Sequence, residues 1–274
     1  PVLGGNASSE IRMHICGADK HAERENARET GILEEILLLN KSRNDKDNYS
    51  WLIFDSCMWE KCRFQDNLDL YLNTNFDKVE MDNKKIVSVS ATNINNETKY
   101  LFTADYFIDA TGDANLFAFA NEEFVLGRES DDKTQPMTLC FRMSNVNVKD
   151  FYGCDLKNLQ KLWTEKRLKG EIKNPLCKIM AFKNVVPDVL HLNSTRVKDK
   201  SPVDPFEKSA AEIEARKQAV ELFEFLKENA PSCKDAYLTE TASAIGVRES
   251  RKIKGLYTIT KKDILSLKKF DDAV

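Results

Sequence analysis

The stretch Tyr106 to Ala114, YFIDATGDA, constrains the fold more than any other. An apolar run ends in a small residue, Ala110, and continues through Thr111, Gly112 and Asp113 into the short helical pattern ANLFAFA at 114–120. Strand, tight glycine turn and helix is the geometry that brings backbone amides against a cofactor. Only glycine lets the backbone turn there and approach a ligand closely. Asp113 can cap the following helix or accept hydroxyl hydrogen bonds from a sugar-like chain. An ordinary strand-to-helix turn would read the same way, so this stretch alone leaves both open. A second signal is LGGNASSE at 3–10. Gly4 and Gly5 followed by Asn6, Ser8 and Ser9 offer accessible amides and hydroxyls of the kind that hold phosphate or ribose. A surface loop has the same composition.

The rest of the chain narrows the class. With 274 residues and 42% hydrophobic content it can bury a sizeable core, as one large domain or two modest ones. Charged residues make up 31%, yet the net charge is only −3 and Lys and Arg are scattered among Asp and Glu. That pattern argues against a nucleic-acid surface. No apolar run approaches the roughly 18 residues a membrane-spanning helix needs, so a soluble protein with no membrane partner is expected. PVLGGNASSE carries no initiator Met, basic flank or apolar signal core, and reads as the interior of a longer protein. The seven cysteines, at 16, 57, 62, 140, 154, 177 and 233, are odd in number and form no Cys-x-x-Cys pair. They are expected to be reduced and structural, which makes the cytoplasm the default compartment.

Periodicity predicts a loop over 1–18, a helix from Asp19 to Leu39, a polar connection at 41–48 and a second amphipathic helix through Trp51, Phe54, Met58 and Cys62. Short β-rich runs follow at 68–72, 76–81, 85–94, 99–104 and 106–110, read as a strand, a three-stranded meander and a final buried strand. After Gly127 a different unit begins. It has a strand in TLCFRMSNV, a helix from Leu156 to Leu168, strand candidates in IMAFKNVV and VLHLNSTRV, and a helix from Phe206 to Asn229. The apolar face expected on that last helix is Ala210, Ile213, Ala219, Leu222, Phe223 and Leu226. Thr260 to Asp263 resembles a capping box opening a final helix that runs to the chain end.

Five segments, PVLGGNASSEIRMHICGA, ARETGILEE, FIDATGD, GRESDDKTQPMTLCFRM and ETASAIGVRESRKI, together resemble successive landmarks of the FAD-dependent oxidoreductase family, a group related to the flavin subunit of heterodisulfide reductases. The resemblance runs nearly end to end and in order. It implies an α/β fold: an incomplete FAD-binding Rossmann-like domain over 1–128 and 241–274, with an inserted α+β substrate domain at 129–240. The strand carrying Gly-x-Gly-x-x-Gly would lie before Pro1, and a later flavin-holding segment after Val274. Gly4, Gly5, Asn6, Ser8 and Ser9 would then line the dinucleotide and continue toward the flavin. Ala110, Thr111, Gly112 and Asp113 would form the second contact turn.

FAD carries the redox chemistry, so the protein must position a small-molecule substrate and manage a proton and a charge. Arg12 and His14 alternate on one face if that segment is extended, and His14 is the best-placed acid or base among three histidines. His191 is a second candidate and His21 a solvated one. Arg248, with Glu249 and Arg251 beside it, could bind a substrate carboxylate or stabilise reduced-flavin charge. A structural histidine and a junction salt-bridge network are the plainer readings of these residues. Thr134, Gln135 and Pro136 could approach the site from the second domain. Relatives in the heterodisulfide reductase group bind a four-iron cluster, but here the closest cysteines, Cys57 and Cys62, are five apart and the others are spread, which departs from cluster spacing. No protein metal site is expected. The reaction expected is hydride transfer between a small organic substrate and flavin, with an unknown electron acceptor. Two alternatives stay open: a catalytically silent truncated flavoprotein or interaction module, and an NAD(P)-dependent dehydrogenase.

Overall fold

The computed structural model describes residues 3–7, 15, 23–25, 27, 30–43 and 53–271. In chain order the first elements are α1 (Ile32–Ser42), α2 (Phe54–Arg63), β1 (Thr74–Asp82), β2 (Lys85–Asn93), β3 (Lys99–Phe102), α3 (Asn115–Phe119) and β4 (Phe124–Leu126). Then come β5 (Phe141–Ser144), α4 (Val148–Asp150), a π-helical turn at Phe151–Asp155, α5 (Leu156–Leu168), β6 (Ala181–Lys183) and β7 (Leu190–Leu192). The chain continues through α6 (Pro205–Asn229), β8 (Tyr237–Thr241), β9 (Arg251–Ile253) and α7 (Lys261–Leu265). Helices and sheets are thus mixed, and each described strand pairing is antiparallel. No helix among the described residues is long and apolar enough to cross a membrane.

Contacts divide the chain into two compact units, Pro1–Asn73 with Gln135–Arg248, and Thr74–Thr134 with Glu249–Val274. Their bounds differ from the expected functional division, which kept 1–128 together. The first unit holds the larger core. A four-stranded sheet, ordered β6–β7–β5–β8, turns Phe141, Met143, Leu190 and Leu192 into a cluster with Leu159 and Trp163 of α5 and Leu222, Phe225 and Leu226 of α6. Trp163 meets Phe225 edge-on at 4.9 Å between ring centroids, and its indole N–H donates to the Leu176 carbonyl at 2.9 Å, so the large ring is buried without an orphaned donor.

The α6 helix starts where Asp204 accepts from the amides of Phe206 and Glu207, with Pro205 in the first turn. Such a cap contributes about 1 kcal/mol. Its buried stripe is Ala211, Ala215, Ala219, Leu222, Phe225 and Leu226, whereas Ile213 is 59% exposed and Ala210 is also exposed. The expected face was therefore right only in its C-terminal half. Small alanines one turn apart give the buried stripe its first half, a packing signal that hydrophobicity alone underweights. A smaller cluster joins α1 and α2 through Ile36, Phe54 and Cys57, flanked by ion pairs Arg43–Glu60 and Lys61–Glu35. Of the helix expected from Asp19 to Leu39, the described part is α1 from Ile32, after Gly31 at φ 68°; residues 23–25 form a turn, and 19–22, 26, 28 and 29 lie outside the described residues.

In the second unit β1, β2 and β3 form the expected meander, with Asn83 at φ 55° in the first turn. Val79, Leu116 and Ala120 are its buried core, with Phe76 and Phe107 packed against them; Phe76 meets Phe119 at 5.1 Å. The β4 and β9 strands pair from Phe124↔Ile253 to Leu126↔Arg251.

Three expectations fail here. Residues 68–72 form no strand, and neither do 106–110. Tyr106 and Ile108 are each 89% exposed, so the run is not buried. Its alternation is that of a strand, but only Phe107 finds an apolar surface. The capping box at Thr260 and Asp263 is present, yet α7 stops at Leu265, and Leu267 at φ 52° turns the chain out of the helix before it ends.

Candidate functional site

The glycine turn of the second unit is organised by Asp109. One carboxylate oxygen accepts from the Thr111 amide at 3.0 Å and the Thr111 hydroxyl at 2.7 Å. The other accepts from the Phe117 amide at 3.2 Å, in the first turn of α3. The Thr111 hydroxyl in turn accepts from the Asn115 amide at 3.0 Å. Partial burial works to raise the Asp109 pKa, but the hydrogen bonds from Thr111, Phe117 and Leu116 outweigh it and hold the carboxyl below its ordinary value. The first turn of α3 is thus capped from Asp109 and Thr111, and not from Asp113, for which a cap was one of two roles open in the sequence.

That division of labour leaves Gly112 and Asp113 at the crest. Gly112 is exposed at φ 82°, with no atom within 4 Å of where a Cβ would stand, and Ala114 sits at φ 51°. Among the described residues the amides of Gly112, Asp113 and Ala114 have no protein acceptor. The turn's carbonyls are occupied instead. The Ser250 hydroxyl donates to Gly112 O at 3.1 Å, and Arg251 donates to Asp113 O at 3.0 Å and to the Asn115 side chain at 2.9 Å. Carbonyls tied down and amides without a protein acceptor make a surface suited to oxygen-rich, anionic ligands.

In the first unit Gly4 (φ 85°) and Gly5 (φ 50°) open a single 3₁₀ turn, closed by Ala7 N–H to Gly4 O at 3.2 Å. Space beside Gly5 is open to 4 Å. Asn6 carries a buried Oδ1 with no hydrogen-bond partner, 3.8 Å from the position a Gly246 Cβ would take. Gly246 and Thr138 exchange backbone hydrogen bonds of 2.7 and 3.1 Å. A Cβ at Gly246 would lie 3.1 Å from Thr138 O, a tight approach that glycine avoids.

Arg248 follows two residues on. Burial pushes the Cys140 thiol up to about 12, with the charges of Arg248 and Arg142 pulling the other way. Arg248 itself is exposed. His191 sits on β7 directly opposite Arg142 and is 8% exposed. Arg12, His14, His21, Ser8 and Ser9 lie outside the described residues. Of the expected residues, the structure brings the Gly4–Asn6 loop and the segment before Arg248 together, and places Ala110–Asp113 in the other unit. Sequence reasoning missed Asp109 and Ser250. Asp109-x-Thr111 ahead of a helical pattern is a recognisable side-chain-to-backbone signal; Ser250 had none. Among the described residues no group of three or more His, Cys, Asp or Glu is placed to hold a metal ion.

The model of the FAD dependent oxidoreductase family matches the chain over residues 1–274. No curated protein and no solved structure matches it.

Proposed function

Because the chain belongs to the FAD dependent oxidoreductase family, we propose that it transfers a hydride between a small organic substrate and FAD. The observation that carries this reading is the Gly112 turn, with three consecutive amides that have no acceptor among the described residues and its carbonyls held by Ser250 and Arg251. Bound FAD would supply the two-electron chemistry. The chain's own residues do the rest. The amides of Gly112, Asp113 and Ala114 donate to oxygens of the dinucleotide, and the Asp113 carboxylate accepts from its hydroxyls. Gly4 and Gly5 allow close approach of the second loop, where Asn6 Oδ1 is an acceptor in need of a donor. Ala110, Thr111, Ser8 and Ser9 complete the two contact segments.

In this reading 1–128 and 241–274 form a Rossmann-like FAD-binding domain and 129–240 the substrate domain. Arg248 compensates negative charge on the substrate or on the reduced cofactor. His14, with Arg12 two residues before it, moves the substrate proton. Fluorescence titration of FAD tests the cofactor half. Saturable quenching by the wild-type chain, lost in Gly112→Val, is the expected result; equal quenching by both would remove the turn from the site.

A further inference from the structure

The α2 helix has a face that the α1–α2 core does not use. Phe54 and Cys57 belong to that core, whereas Ser56, Trp59, Glu60 and Arg63 recur at three- and four-residue steps and so share a second face. Together with Phe64, just past the end of the helix, they line a surface cavity of about 200 Å³. Its two rings are open to solvent, Trp59 being 40% exposed and Phe64 70%. Ser56 and Arg63 are exposed as well.

The polar groups around this cavity are donors that lack protein acceptors. The Arg63 guanidinium lies over both rings, 5.6 Å from the Trp59 centroid and 5.1 Å from that of Phe64. Among the described residues its N–H groups meet no carboxylate or carbonyl, and the Trp59 indole N–H and the Ser56 hydroxyl have no acceptor either. The carboxylate in the lining, Glu60, is paired to Arg43 at the end of α1. Lys61, on the same helix, pairs with Glu35, and neither it nor Asp55 lines the cavity. A guanidinium stacked on rings keeps its charge and its planar edge of donors. The ligand that answers this set brings acceptors and negative charge to the donors and a flat apolar body to the rings.

We propose that this cavity binds a small aromatic carboxylate, with Arg63 holding the carboxylate, Ser56 offering a further donor, and Trp59 and Phe64 packing against the ring. The assignment needs neither bound FAD nor the reaction proposed above. The cavity is smaller than the roughly 300–1,000 Å³ usual for ligand sites. It therefore suits a single ring, and its exposure sets the dissociation constant in the millimolar range.

Proton–nitrogen correlation NMR of the indole N–H groups tests this, with benzoate, benzamide and acetate titrated at fixed ionic strength. Trp59→Phe identifies the Trp59 signal. The buried Trp163, whose N–H is held by Leu176 O, is the internal control. Benzoate moves the Trp59 signal saturably and leaves the Trp163 signal in place. Benzamide keeps the ring without the charge, acetate keeps the charge without the ring, and each binds about fivefold more weakly than benzoate. Arg63→Gln lowers benzoate to the affinity of benzamide and leaves benzamide unchanged, a split that a merely structural role for Arg63 would not give. A Trp59 signal that does not saturate with benzoate, equal affinity for benzoate and benzamide, or unchanged benzoate affinity in Arg63→Gln overturns the site.

Discussion

Arg251 donates one guanidinium nitrogen to the carbonyl of Asp113 at 3.0 Å, across a separation of 138 residues in sequence. The same nitrogen reaches Asn115 Oδ1 at 2.9 Å, and the guanidinium lies 5.4 Å from the Phe124 ring centroid. The β9 strand thereby holds the glycine turn from behind. Replacing Arg251 by Met keeps much of the apolar stem but removes both hydrogen bonds, which costs about 1–3 kcal/mol for bonds to a charged group. Chemical denaturation should register that loss, and FAD affinity should fall with it because the amides are no longer fixed.

Asp109 makes the turn pH-sensitive. Its folded-state pKa lies below the ordinary 3.8, so its contribution to stability is present above the unfolded value and is lost as pH falls through the lowered folded one. Asp109→Asn should destabilise the chain by about 1 kcal/mol at neutral pH, as loss of a helix cap does. The wild-type advantage over the variant should shrink as pH falls below about 4. Paired thermal melts at pH 7 and pH 3 read this difference.

The cysteines should separate by burial. Cys154 and Cys177 are exposed, whereas Cys140 and Cys233 are buried with thiols pushed up to about 12 and about 11 respectively, each mainly by burial. Because the thiolate is the nucleophile, iodoacetamide at pH 8 should label Cys154 and Cys177 in the native chain and leave Cys140 and Cys233 unlabelled until denaturant is added. Peptide mapping by mass spectrometry gives the order.

Trp163 tests the core of the first unit. It is 1% exposed and packs on Phe225. Trp163→Ala should cost about 3–5 kcal/mol, seen as a lowered denaturation midpoint.

Local chemistry was legible where the signal was local. Leu156–Leu168 is helical over its full expected span, the helix expected from Phe206 to Asn229 starts one residue earlier at Pro205, and the three-stranded meander forms where its short β-rich runs place it. The run at Tyr106–Ala110 misled because alternation reports which side chains could be buried and not whether a neighbouring strand is there. Asp113 drew the capping role through its nearness to the helix, while Asp109 holds it because Thr111 folds back toward it. Arg142 and Glu240 come together only through strand register, which no single stretch of sequence encodes.

The visible absorption spectrum of the chain, recorded after incubation with FAD and removal of unbound cofactor by gel filtration, tests the central claim most directly. A two-banded flavin spectrum that co-elutes with the protein, and that is lost in Gly112→Val while the variant keeps its far-UV circular dichroism, is the result predicted. A colourless wild-type protein would contradict it and leave the Gly112 turn as ordinary structure.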